Sequence, residues 1–88
     1  MHLRDLLFQV CHVAGKALKT QGQTAAAQDR FRDALGFLEE MRQGLSRADL
    51  DLFLGRPETT EFGREASLTF QGANLHQEAD RLKALLRP

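Results

Sequence analysis

The sequence contains no tryptophan, tyrosine or isoleucine, one cysteine, two prolines, and no net charge, with 12 Lys plus Arg balanced by 12 Asp plus Glu. Each shortage excludes something. A single thiol, Cys11, closes no intrachain disulfide. The missing basic excess argues against a nucleic-acid-binding domain. Uninterrupted apolar runs are only a few residues long, far below the roughly 18 needed to cross a membrane. With valine also scarce, strand formers are few and no stretch alternates apolar and polar residues for long, which predicts an all-α chain. The first residues, MHLRDLLFQV, carry an acid and no long apolar core of the signal-peptide kind, so the cytoplasm is the expected compartment. Nothing in them distinguishes a natural start from the start of an excised fragment.

What is present is enough hydrophobic residue, 42%, for one core in 88 residues. Domains usually run about 100–200 residues, and a chain this short buries only about 60% of its unfolded surface, so a single domain is the expected limit and a large catalytic architecture is excluded.

Helical periodicity organises the chain. Leu3, Leu7, Val10, Ala14 and Ala17 recur at steps of four and three, widened by Leu6, Val13 and Leu18, and predict an amphipathic helix ending near Thr20. Gln21-Gly22-Gln23 breaks it and Thr24 is a cap candidate. Ala27, Phe31, Ala34, Leu38 and Met41, with Leu35 alongside, predict a second helix that stops at Gly44. From Leu45 to Glu58 the pattern changes to a connection holding a short helical turn, with Ser46 as its cap and an apolar knot at Leu50, Leu52, Phe53 and Leu54. Pro57 closes that segment. Thr59 or Thr60 then caps a third helix through Phe62, Ala66, Thr69 and Phe70, Gly72-Ala73-Asn74 breaks it, and Leu75, Ala79, Leu82 and Leu86 carry a fourth. The expected architecture is a single all-α domain over 1–88: two antiparallel helical hairpins at about 3–43 and 59–87, joined by a connector at 44–58.

Residues 11–35 resemble a tetratricopeptide repeat, a helix-turn-helix unit of about 34 residues. Gly15 stands where that family places a small residue late in its first helix, Gln21-Gly22 resembles its turn, and Ala27, Phe31 and Ala34 resemble its small-aromatic-small series. Small residues at Gly15 and Ala27 let two antiparallel helices approach closely, and Phe31 is expected to fill the gap between one hairpin and the next. The departures are Cys11 for a large aromatic, Leu18 for a tyrosine-like residue, and no proline after Leu38. Over 61–86 the likeness is fainter: Ser67, Phe70 and Ala79 fall at matching offsets, but Lys83 sits where Phe31 would. Ala27 and Ala79 are 52 positions apart, which an insertion near Leu45–Glu58 accounts for. A plain four-helix bundle fits the same stripes equally well.

No catalytic constellation is legible. Cys11 and His12 are neighbours, and neighbours on a helix diverge by about 100°, so they form no thiolate–imidazole pair; Cys11 reads as a small hydrophobe at the edge of the stripe and His12 as solvated or facing a partner. His2, His12 and His76 are scattered without ligand spacing. Glu39-Glu40 reads as a solvated face, and Asp49 with Asp51 lacks the oxygen-ligand series of a calcium loop. Neither Leu54-Gly55-Arg56 nor Gly72-Ala73-Asn74 is followed by the Lys-Ser or Lys-Thr of a phosphate loop. No enzyme activity, cofactor or metal is expected.

Charge is segregated. Arg4, Lys16 and Lys19 face Asp5 alone in residues 1–20, whereas Asp49, Asp51, Glu58 and Glu61 outnumber Arg47 and Arg56 in 46–61. The tetratricopeptide resemblance implies a groove lined by the exposed face of each first helix: Gln9, His12, Lys16 and Lys19, then Arg64, Leu68 and Gln71. That face is mildly basic and suits an acidic peptide, although a solvated face is the simpler reading and the asparagine of the tightest family grooves is missing. Leu50 and Phe53, in the apolar knot, serve equally as contact surface or as a lid over the core. The expected function is a non-enzymatic protein–protein interaction module, completed by self-association, a protein or peptide partner, or a longer chain, because two hairpins are fewer than a solenoid needs. The alternative is a small helical-bundle regulatory or sensor domain, dimeric, transcription-related or accessory to a larger enzyme. Neither reading needs a membrane or nucleic acid.

Overall fold

The computed structural model of the protein describes residues 2–86 and contains, among them, five helices and no strand: α1 (His2–Thr20), α2 (Thr24–Gly44), α3 (Arg47–Leu54), α4 (Pro57–Gly72) and α5 (His76–Leu86). The all-α, hairpin-based class predicted from the sequence is the class observed. The chain forms two compact units, one up to Met41 and one from Arg42.

In the first unit α1 and α2 are antiparallel. Arg4 Nε meets Glu40 Oε2 at 2.9 Å at one end, and at the other the Phe31 ring lies against Gly15. A Cβ added at Gly15 would stand 2.9 Å from Phe31 Cε1, so this crossing is available only to glycine unless the ring shifts. Phe31 therefore fills space inside the first hairpin, against the helix that α2 is paired with. Ala27, Ala34, Leu35 and Leu38 complete the buried face of α2, spaced at three and four residues as the sequence predicts. The Arg4–Glu40 pair is half-exposed and contributes at most about 1 kcal/mol; burial of Phe8 and Phe31, at about 1.5–3 kcal/mol each, outweighs it.

The second unit is built on α4 and α5. Phe62, Gly63, Ala66, Thr69 and Phe70 of α4 are buried, as are Ala79, Leu82 and Leu85 of α5. Gly63 is the close-approach residue here: its missing Cβ leaves room for Leu86 Cδ1, 2.7 Å from where that carbon would stand. Arg42 Nη1 donates to the Ala84 carbonyl at 3.2 Å near the end of α5, where unsatisfied helix carbonyls accumulate. The connector is more ordered than a turn. Ser46 accepts from the Asp49 N–H at 3.2 Å and caps α3, an eight-residue helix ended by Gly55. Pro57 begins α4 rather than closing the preceding segment, since its fixed φ and missing N–H suit a first helical position; Thr59, expected as a cap, is instead buried in the first turn.

The α1–α2 and α4–α5 turns have one hydrogen-bond pattern. Gln23 N–H reaches Leu18 O and Gly22 N–H reaches Lys19 O; correspondingly, Leu75 N–H reaches Phe70 O and Asn74 N–H reaches Gln71 O. Each is a Schellman closure around a left-handed residue, Gly22 at φ 81° and Asn74 at φ 60°. Gly22 and Asn74 are separated by the same 52 positions as Ala27 and Ala79.

Candidate interaction surface

The helix α1 is apolar on two opposite faces. At about 100° per residue, Phe8, Cys11, His12 and Gly15 fall within an arc of about 100° and are buried. Leu3, Leu6, Val10, Val13 and Ala17 fall within an arc of about 80° on the far side, and they are exposed: Leu3 by 66%, Leu6 by 58%, Val10 by 57% and Val13 by 65%. Their spacing is three, four, three, four, a straight seam along the helix. Leu6, Gln9, Val10, Val13, Ala14 and Ala17 line an open groove of about 470 Å³ on this side.

The stripe predicted to form the core face of α1 is thus largely its outer face. The reason lies in the partner helix. Phe31 requires a glycine opposite it, and once Gly15 is set against the ring, the residues one and two turns away on the same face, Cys11 and His12 and then Phe8, are carried inward. The pattern of aliphatic residues marked the most hydrophobic face, whereas shape selected the buried one.

His12, expected to be solvated or to face a partner, is only 5% exposed. Its ring stacks on Phe8 with centroids 6.0 Å apart and tilts against Phe31 at 6.4 Å. It therefore does not line a groove. Cys11 is buried as expected, and burial pushes its thiol above the ordinary value of 9.0, with Asp33 adding to the rise and Arg30 opposing it. A thiol held protonated in this way is a poor nucleophile.

Gln9 and Lys16 are half-buried along one edge of the outer stripe, with Gln9 Nε2 donating to Asp5 Oδ1 at 3.2 Å; Lys19 is exposed beyond them. Arg64, Leu68 and Gln71 are exposed on one face of α4, where Gln71 Nε2 donates to Ser67 Oγ at 3.3 Å. In the apolar knot the expectation divides. Phe53 is buried with the Arg56 guanidinium 4.1 Å from its ring centroid and so belongs to the core, Leu50 is half-buried, and Leu52 is the residue presented to solvent, 74% exposed.

Among the described residues no three His, Cys, Asp or Glu side chains come together as a metal site, and no helix is long and apolar enough to cross a membrane. Compared with protein-family models, curated proteins and solved structures, the chain matches none.

Proposed function

We propose that the protein is a protein–protein interaction module whose contact surface is the outer stripe of α1. The observation that carries this reading is the seam Leu3, Leu6, Val10, Val13 and Ala17, exposed opposite a face that is already packed. Single exposed aliphatic residues are ordinary on a protein surface, but an aligned run of them along one helix marks a docking surface. A second amphipathic helix laid along the groove would bury the seam by packing side chains into the spaces between Leu6, Val10 and Val13. The reading is non-enzymatic, in keeping with the dispersed histidines and the raised thiol of Cys11. The packing of α1 on α2 through Gly15 and Phe31, with the Schellman turn between them, supports such a surface.

The outer face of α1 replaces His12 and Phe53 as the centre of the proposed surface, and Gln9 and Lys16 become its polar rim. Photo-crosslinking tests it: a benzophenone amino acid at Val13 should give protein adducts in the producing cell, while the same probe at Arg32, on the exposed side of α2, should not. Equal or absent adducts at the two positions would overturn the proposal.

A further inference from the structure

We infer that the occupant of the outer stripe is a helical hairpin of another protein, with one helix in the groove along Val10 and Val13 and the other against Leu7 of α1 and Phe37 of α2; this rests on the stripe being a docking surface. The width of the face asks for two helices. Leu7, Ala14 and Leu18, each half-buried, extend the five-residue seam to one side, so that eight aliphatic residues of α1 span about 140° and none of them is fully buried. The seam that a lone helix covers in a two-stranded coil is narrower, whereas a face wider than about 100° packs into the angle between several helices.

The apolar surface continues onto α2 beside that edge. Asp33 and Arg30 are the charges felt by Cys11, which places the edge of α1 carrying Leu7, Cys11 and Leu18 next to their side of α2. Phe37 and Met41 fall on the same side, within about 80° of arc together with Arg30 and Asp33, and are half-buried. The Arg4–Glu40 contact brings Leu7 level with Phe37, and Leu3 level with Met41, in the antiparallel pair.

The second hairpin shows such a face filled. Its turn repeats the hydrogen bonds of the first, with Thr69 and Phe70 accepting where Ala17 and Leu18 do, so positions 52 apart hold the same place on α1 and α4. Thr59, Phe62, Ala66, Thr69 and Phe70 are all buried. Their counterparts Leu7, Val10, Ala14, Ala17 and Leu18 are all apolar, and none is buried. One face is thus packed in α4 and left open in α1.

A second copy has no hairpin face to offer it. Among the described residues outside α1, the large hydrophobics exposed to solvent are Leu52 and Leu68, one on α3 and one on α4. The fitting partner is an antiparallel helix pair with an apolar inner face, bulky over Ala14 and Ala17 where the stripe is lowest.

Photo-crosslinking from both sides of the surface tests the occupant. A benzophenone amino acid is placed at Val13 or at Phe37 in the producing cell, and the labelled residues are mapped by mass spectrometry. Both probes should label one other protein, at residues on two helices joined by a turn, and Val10→Asp should lower both yields about tenfold or more while the far-UV circular dichroism is unchanged. Labelling of a single continuous helix, or labelling from Val13 without Phe37, would overturn the hairpin and leave the docking surface standing. Adducts that join two copies of this chain would overturn the separate protein in the same way. No intermolecular adduct from either position would remove the docking surface and this inference with it.

Discussion

The helices α1 and α4 are each the first arm of a hairpin, yet they use their apolar residues in opposite ways. In α4 the apolar positions Phe62, Ala66 and Phe70 are the buried ones and Leu68 is the one large aliphatic exposed on it. In α1 the aliphatic seam is outside, and the inner face is made of Phe8, Cys11, His12 and Gly15. The difference teaches that helix packing is decided by shape at the closest crossing. A face that combines a glycine with aromatic rings can displace a more aliphatic face from the core when the opposing helix presents a phenylalanine.

The glycine crossings offer the sharpest way to separate the two hairpins. Gly15→Ala places a carbon against the side of the buried Phe31 ring and should destabilise the protein by about 1–3 kcal/mol, seen as a lower midpoint in urea. Gly63→Ala meets only the terminal methyl of Leu86, a flexible obstacle, and the helix propensity gained offsets it, so the change should stay within about 1 kcal/mol. Equal losses at the two sites would show that the crossings are not distinguished by the rigidity of the opposing group.

A smaller effect compares the turns. Gly22→Ala forces a side chain into the left-handed region and should cost about 1 kcal/mol, whereas Asn74→Gly relieves the same constraint and should be neutral or stabilising by a few tenths. Thermal unfolding of both variants measures this. If Gly22→Ala proved neutral, the Schellman closure after α1 would not hold that turn.

The smallest effect concerns Cys11. Because the folded-state pKa of its thiol is raised, the folded protein resists forming the thiolate more than the unfolded chain does. This contribution to stability is complete below about pH 9 and declines as pH rises through the folded-state pKa. Alkylation by iodoacetamide at pH 8 should be slower in the native protein than in urea-unfolded chain, and the stability gap between the protein and Cys11→Ala should narrow above pH 9.

Much of the fold is legible in the sequence because local signals and packing agree there. Gly22 and Gly44 mark helix ends, Ser46 caps α3, and the Ala27–Phe31–Ala34–Leu38 series is the buried face of α2. The connector is less legible: α3 is too short for periodicity to define, and Pro57 works as a helix starter or a breaker depending on which side the helix lies. The candidate surface was partly hidden for a different reason. Hydrophobicity alone assigns α1 a core face, and only the pairing of Gly15 with Phe31 turns that face outward. The signal was present in the small-aromatic match between the two helices, together with Phe8 lying off the aliphatic stripe.

The orientation of α1 is the central claim, and a paired stability measurement tests it most directly. Phe8→Ala and Val10→Ala are unfolded in urea under the same conditions. Phe8→Ala should cost about 3–5 kcal/mol and Val10→Ala no more than about 0.5 kcal/mol. A larger loss from Val10→Ala than from Phe8→Ala would contradict the account, placing the aliphatic seam in the core and removing the surface on which the proposed interaction rests.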